Sequence, residues 1–441
     1  MDDAWLHVFS HLSQRDLIRI ERVSASFYRL ARKEWLRRRS VDLQTELGEA
    51  TTSEEGILSV LDRVGSCLLD LSIGSPCVAP SSSSSSPLSP AKESWSKASS
   101  RTITKKIIEK IADGCPVLRS LSIHRMNLLF TALTSFPLLP STLQELSITV
   151  CRMECYSEED GRMAQAAIGH LVSSLPRLAK FEITGNEEST RGNAGSGGRN
   201  DHFVLDETVL DRLPHTVTHM HLSAGDSLKL VDLRFLKQRE LYSFNLTNSF
   251  ISNGDLSLLV SRSPFIRHLD LSFSRNCTDF SPIGQLPLLR SLFLRGNVGL
   301  GDSALEAICS GCPALVQISL ENCNRLSSSA LARLGLLHSL QRVCLSGLYA
   351  VDFPVIDALS NCVDLTVLNL SYCRNVCNRC VESVVSSFPS LSVVDLRCVP
   401  SSAHALSLLK GKSRPLVERC ALKDFNVSTG FTCELEKVEW R

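Results

Sequence analysis

The sequence predicts an α/β solenoid, a stack of like strand-plus-helix units, with a short all-α segment ahead of it. Three observations lead to that fold class. A phrase of the form apolar-x-x-apolar-x-apolar recurs along most of the 441 residues, and its copies follow at a near-constant step. Residues 1–43 depart from the phrase and carry helical patterns instead. A fixed period of about 20–50 residues is the mark of stacked repeats.

The clearest copies begin at Leu241, Ile266, Leu289, Leu315, Leu340, Leu365 and Leu391, at steps of 25, 23, 26, 25, 25 and 26 residues. Earlier copies begin at Leu68, Leu118, Leu143, Leu178 and Val217, at steps of 50, 25, 35 and 39, with 24 more to Leu241. The longer steps hold insertions or a degenerate repeat. Within a copy the last two apolar residues, such as Leu269 and Leu271, stand two apart and share one face of a short strand. His268, Asp270 and Ser272 then face the other way. About ten residues on, runs such as Ser303-Ala304-Leu305-Glu306-Ala307-Ile308 predict a helix with its apolar side inward. One unit buries too little apolar surface to offset the entropy of ordering it, so the units must stack and share a core.

Cysteines keep register with the phrase. Gly114-Cys115-Pro116, Gly311-Cys312-Pro313 and Asn361-Cys362 precede the first apolar residue of a copy by one interval, and Cys323 and Cys373 fall three residues after the last apolar strand position. Cys309-x-x-Cys312 and Cys377-x-x-Cys380, with Cys373 nearby, have the spacing of metal ligands. Cys312 and Cys373 already have places in the repeat as small buried hydrophobes, and no His stands close in sequence. The reading is packing, with no metal and no cofactor. Units of this length and pattern resemble leucine-rich repeats of the cysteine-containing subtype over roughly residues 60–400. That resemblance implies a horseshoe with strands on its concave side.

The repeats are assigned to 44–400, with flexible insertions at about 76–101, a Ser/Pro tract, and 187–201, rich in glycine. Ser86-Pro87 and Ser89-Pro90 could be proline-directed phosphorylation sites, though a plain insertion is the simpler reading. Gly192, Gly195, Gly197 and Gly198 lack the following helix and Lys-Ser/Thr of a phosphate-binding loop. Residues 401–441 read as one degenerate row, Val417-x-x-Cys420-x-Leu422, and a cap ending at Trp440.

In residues 1–43, Trp5, Leu6, Val8, Phe9 and Leu12 form an apolar helical stripe. Ser13, with Asp16 three residues on, starts a second helix carrying Leu17, Ile18 and Ile20. Val23-Ser24 breaks it, and Phe27, Leu30 and Ala31 mark a third helix, with Trp35 and Leu36 near its end. The basic runs Arg32-Lys33 and Arg37-Arg38-Arg39 complement the dipole at that helix's C-terminal end. Three helices in about 40 residues make a poor independent core, so an apolar face against a partner or neighbouring domain is expected.

The wording VFSHLSQRDLIRIERVSASFYRLARKEWL is similar to the F-box, a small all-α motif, at Phe9, Leu12-Ser13, Asp16-Leu17, Val23-Ser24, Phe27, Leu30 and Trp35. The Leu-Pro that usually opens that motif has Met1-Asp2-Asp3 in its place. The resemblance implies docking on a Skp-family adaptor, and through it on cullin and RING subunits. The implied adaptor contacts are Trp5, Leu6, Val8, Phe9, Leu12, Asp16, Leu17, Ile20, Val23, Phe27, Leu30 and Trp35. A helical cap on the first repeat is the competing reading.

F-box followed by repeats resembles the F-box and leucine-rich-repeat receptors of SCF ubiquitin ligases. The line CPVLRSLSIHRMN, followed by LPSTLQELSI, looks like a short member of that family. The resemblance implies a non-catalytic receptor that holds a protein substrate on its concave sheet. Twelve strands at about 4.8 Å would give an arc of roughly 60 Å, enough for a protein surface. The outward strand residues His268, Asp270, Phe293, Arg295, Gln317, Glu321, Arg342, Asp395 and Arg397 are the candidate substrate contacts. Phe293 beside Arg295 stands out, since exposed aromatics and arginines favour binding hot spots. His219 and His221 read as an ordinary exposed pair. The rival reading is a leucine-rich-repeat scaffold or inhibitor unrelated to ubiquitin.

Composition limits the remaining classes. The chain is 43% apolar and 21% charged, with a formal net charge of +1, so no global field favours nucleic acid. No run approaches the roughly 20 apolar residues of a membrane span, and the acidic start is unlike a signal peptide. Seventeen cysteines without such a signal point to free thiols in the cytoplasm, the nucleus or both. The sequons at Asn245 and Asn369 fall in predicted strands and are read as coincidence. There is no nucleophile elbow, phosphate loop or paired acid-base motif, which argues against an enzyme.

Overall fold

The computed structural model describes residues 2–43, 53–74, 102–154, 158–184, 204–205, 207–223, 229–230, 233, 239–274 and 276–400. The two expected insertions, the row at 417–422 and the 401–441 cap lie outside these residues. The chain divides into two compact units, Met1–Val231 and Asp232–Arg441.

The first unit opens on three helices, α1 (Asp2–Ser10), α2 (Gln14–Ile20) and α3 (Ala25–Arg37). Their starts are set by the expected hydroxyls. Ser13 Oγ accepts from the Asp16 N–H at 3.2 Å, and Ser24 Oγ accepts from the Phe27 N–H at 3.1 Å. Trp35, fully buried, donates its indole N–H to Glu21 at 2.7 Å. Glu21 also receives Arg63 at 2.9 Å from α4 (Glu54–Val64), the first repeat helix. The basic run holds backbone carbonyls, with Arg38 Nη2 donating to Leu12 O at 2.6 Å and Arg39 Nη1 to Cys67 O at 3.2 Å. The helical segment is therefore bolted to the first repeat.

The join is closer than the sequence pattern suggests. β1 (Ser40–Asp42), inside the 1–43 segment, is already a strand of the sheet and pairs in parallel with β2 (Asp70–Ile73). The sheet continues in parallel through β4 (Ser120–Leu129), β5 (Glu145–Glu154), β6 (Lys180–Thr184) and β8 (His219–Ser223). β3 (Thr102–Ile103) pairs with the far end of β4, and β7 (Val204–Leu205) pairs with β9 (Lys229–Leu230). β4 and β5 run on past the repeat phrase through a register shift at Met126. The 35-residue step after Leu143 holds that extension and a 17-residue helix, Glu158–Ser174.

The second unit is the regular part. β10 (Ser243–Asn245), β11 (His268–Asp270), β12 (Ser291–Phe293), β13 (Gln317–Ser319), β14 (Arg342–Cys344), β15 (Val367–Asn369) and β16 (Val393–Asp395) pair in parallel, each with the next. The phrase leucines on either side of each strand are buried, and helices such as Asp302–Gly311 bury Ala304, Leu305 and Ile308 as the pattern requires.

The cysteines cross-brace neighbouring repeats of the second unit as hydrogen-bond donors as well as packing. Cys323 Sγ donates to Leu294 O at 3.0 Å and Cys373 Sγ to Leu345 O at 3.1 Å, each reaching the preceding repeat. Asn297 fills the same place with two bonds. Its Oδ1 accepts from the Ser274 N–H at 2.8 Å, and its Nδ2 donates to Leu271 O at 2.9 Å. Cys312 and Cys362 donate to Ile283 O and Leu337 O at 3.3 and 3.4 Å.

The residue before this bracing position takes a left-handed backbone in repeat after repeat: Asn248, Phe273, Gly296, Asn322, Gly347, Tyr372 and Cys398. Large and small alternate there. A Cβ on Gly296 would lie 2.4 Å from the Phe273 ring, and one on Gly347 would lie 2.2 Å from Asn322 Oδ1. The glycines serve both the positive φ and the side chain lying over them.

Candidate protein-binding surfaces

The N-terminal helices leave one apolar face open. Trp5, Val8 and Val23 are 41%, 47% and 66% exposed, and Leu12, Ile20 and Phe27 are half-buried. Trp5 packs its ring 5.0 Å from that of Phe27 and 6.2 Å from that of Phe9, so the exposed tryptophan is seated on a buried base. Asp16 is half-buried and is held by Ser13 and Arg19. Tyr28 and Leu36, which the motif did not single out, are also exposed. Spacing alone could have found Leu36, which lies beside the motif tryptophan.

Five of the twelve expected adaptor contacts require correction. Leu6, Phe9, Leu17, Leu30 and Trp35 are buried within the unit. Three short helices reach a stable core only by packing on one another and on α4, and these five side chains supply it. They shape the face and do not form it.

The inner wall of the second unit follows from strand register. Its outward residues lie in rows, His268-Ser291-Gln317-Arg342-Val367-Val393 in one and Asp270-Phe293-Ser319-Cys344-Asn369-Asp395 in the next. His268, Asp270, Phe293, Arg295, Glu321, Arg342 and Arg397 are half-buried there. Gln317 and Asp395 are buried at 2%, which corrects their placement as open contacts. Neighbouring strands lie about 4.8 Å apart, so short side chains in one row cover each other. Asp395, Asn369 and Asp270 also fold back to accept the N–H two residues on, at 3.0, 2.9 and 2.9 Å. Asn369 is thereby occupied, and its sequon is 3% exposed.

Two charge pairs on this wall are matched internally. Arg295 Nε lies 3.2 Å from Glu321 Oε1, and its guanidinium stands over the Phe273 ring at 5.2 Å. Burial raises the Glu321 carboxyl above its ordinary range, and Arg295 partly offsets that. Arg397 grips Asp395 with two nitrogens at 2.6–3.0 Å. Between these pairs lies an apolar patch, where Phe293, Val367 and Val393 pack against Cys344. Val367, Val393 and Cys344 were missed because each strand was read alone. Aligning strands by register would have shown valines standing in a polar row.

The inner wall of the first unit is polar. Ser72, Ser122, Ser147, Glu182 and His221 share a row, beside Asp70, Ser120, Glu145, Lys180 and His219. His221 Nδ1 donates to Glu182 Oε1 at 3.1 Å, and Thr218 Oγ1 lies 2.9 Å from His219 Nδ1, so the two histidines are engaged and not an ordinary exposed pair. Burial pushes Glu182 up, but the His221 bond and charge, Lys180 and the Ser147 hydroxyl outweigh it and hold the carboxyl at about 2. His124 and His219 are shifted down, chiefly by burial.

Among the described residues no helix is long and apolar enough to cross a membrane, and no group of three or more His, Cys, Asp or Glu side chains converges as a metal site would.

Comparison with known proteins agrees with this geometry. Residues 2–42 match the F-box-like family model. The structure of yeast Rad7 in complex with Elc1 superposes over 90% of this chain and 88% of that one, with a TM-score of 0.54 and 18% identity, a likeness of fold. A likeness to mouse RP105 in its complex with MD-1 covers 80% of this chain and 55% of that one, at 17% identity and a TM-score of 0.45. Among curated proteins, Antagonist of mitotic exit network protein 1 of Eremothecium gossypii is 30% identical over 121 residues. That match spans 26% of this chain and 31% of the relative's length. The chain thus carries an F-box-like domain followed by parallel-stranded leucine-rich repeats, the arrangement typical of non-catalytic adaptor proteins.

Proposed function

We propose that this chain is the substrate-recognition subunit of an SCF-type, cullin-RING ubiquitin ligase, acting in the cytoplasm, the nucleus or both. The N-terminal helices hold a Skp-family adaptor, and through it cullin and RING subunits, while the repeats hold a protein substrate. Ubiquitin transfer gains from raised local concentration, with the chemistry supplied in trans. The observation that carries the reading is the open face of Trp5, Val8 and Val23 on a segment matching the F-box-like model. The finer resemblance, to the short family member numbered twelve, rests on the wording of residues 115–127 and 139–148 alone.

The test is co-expression of the full chain with a Skp-family adaptor, followed by gel filtration and titration. A stable one-to-one complex is expected. A folded chain that shows no complex at micromolar concentrations overturns the proposal and leaves a repeat scaffold unconnected with ubiquitin. For the substrate side, the apolar patch around Phe293 is the proposed anchor, with Arg295, His268 and Arg342 around it. Arg295→Glu would set a carboxylate against Glu321, so Arg295→Gln is the cleaner probe. It should weaken client capture several-fold without lowering the melting temperature by more than a few degrees.

A further inference from the structure

The helix Asn378–Ser387 begins on two thiols. Cys377 is its N-cap, the place that Ser252, Ser327 and Asp352 hold on other repeat helices, and Cys380 is its third residue. The two Sγ atoms lie 3.5 Å apart. Cys377 is exposed, whereas Cys380 is buried at 0%. Cys377 Sγ closes no capping hydrogen bond, but the backbone N–H of Cys380 at the helix start holds its thiol below the ordinary range, while burial raises Cys380. A sulfur that replaces the capping oxygen of its sister repeats is favoured as thiolate there, because the helix start presents donors and a positive dipole end.

The chain contains its own control. Cys309-x-x-Cys312 has the same spacing at the opposite end of its helix, Asp302–Gly311, where both residues are buried. Burial pushes each of those thiols up to about 12. Equal spacing therefore gives an inert pair in one repeat and an accessible, asymmetric pair in another.

We propose that Cys377 and Cys380 form an oxidisable dithiol whose oxidant is a hydroperoxide, with Cys377 as the attacking and Cys380 as the resolving sulfur. In the first step the Cys377 thiolate attacks the terminal peroxide oxygen, the O–O bond breaks, and the sulfur becomes a sulfenic acid while the alkoxide or hydroxide leaves and takes a proton. In the second step Cys380 sulfur attacks Cys377 Sγ, the S–O bond breaks, and the departing hydroxide leaves as water with the Cys380 proton. The sulfurs lose two electrons and the peroxide gains two. Closing to a disulfide needs about 2.05 Å between the sulfurs, an approach of about 1.5 Å from their present separation.

Trypsin cuts after Arg374, Arg379 and Arg397, so the two sulfurs fall on separate peptides, 375–379 and 380–397. Full-length protein treated with stoichiometric hydrogen peroxide should yield these peptides joined, and dithiothreitol should release them. Cys377→Ser should abolish the link. Cys380→Ser should trap a dimedone adduct on Cys377 at least tenfold faster than on exposed Cys398, with Cys309 and Cys312 unlabelled. Absence of the joined peptides from oxidised wild type overturns the proposal even if a variant fails to fold. Equal labelling of Cys377 and Cys398 overturns it as well.

Discussion

Replacing Val8 and Val23 by aspartate separates docking from folding. Both side chains are about half or more open to solvent, so surface substitution should cost folding no more than about 0.5 kcal/mol each. Val8 lies near the C-terminal end of α1, where an acid opposes the helix dipole and adds roughly 0.3–1 kcal/mol. Docking is another matter. A carboxylate desolvated against an apolar partner without a counter-charge costs about 3–5 kcal/mol, or roughly 150- to 5,000-fold in affinity. Calorimetric titration with the adaptor, paired with thermal melts of the free chain, reads both numbers. A double variant that melts as wild type yet binds within threefold of it would refute the assignment of this face. The fully buried Phe9 and Leu17 are poorer probes. Truncating Phe9 alone should cost about 3–5 kcal/mol of stability, and lost binding would then say nothing about contact.

Three further outcomes follow from the packing. Arg63→Met should lower stability by about 3 kcal/mol, because Glu21, with only 5% of its side chain exposed, loses its cation; urea titration would show this as a lower midpoint. Gly296→Ala should cost about 1–3 kcal/mol through its φ of 68° and the Phe273 ring, and Phe273→Ala should recover the steric part in a double-mutant cycle. Glu182, held at about 2 against an ordinary 4.5, contributes stability that is fully present above about pH 4.5 and is lost as pH falls through about 2. That contribution is of order 3 kcal/mol. His221→Gln should therefore destabilise the chain at pH 5.5 and do so much less at pH 2.5; an equal loss at both pH values would exclude the His221 bond as its source.

The strands were legible because a two-residue alternation and a step near 25 repeat too often for chance, and every described copy from Leu68 to Leu391 has its strand. The helix starts at Ser13 and Ser24 were legible because capping needs a hydroxyl at one position. β1 was not, since three residues cannot display a period and Val41 alone marks its inward side. Nor was the left-handed column. Gly296, Gly347, Asn248 and Asn322 are ordinary choices for such backbone, but Phe273 and Tyr372 are not; each donates its N–H to the next repeat, to Arg295 O at 2.7 Å and Arg397 O at 2.8 Å, and Phe273 also lies over Gly296. Burial of Gln317 and Asp395 was hidden for a related reason. Alternation along one strand assigns a face, whereas exposure on that face depends on the strands alongside.

The same dependence on neighbours explains how the N-terminal helices can serve as a docking element despite their size. Alone, about 40 residues bury too little to stay folded. Here the Glu21 carboxylate joins Trp35 to Arg63, the Arg39 carbonyl accepts from Leu69 and Asp70 N–H at 2.7 and 3.0 Å, and β1 continues the repeat sheet. These ties seat the Trp5 face directly on the first repeat. A partner held on that face is then fixed in orientation relative to the first unit, and the effective concentration of anything bound on its inner wall is set by rigid geometry, not by chain entropy. Loosening the joint through Arg63 should accordingly widen the spread of distances between labels on a bound adaptor and on the first repeat while leaving adaptor affinity within a few-fold, a split that a flexible tether would not produce.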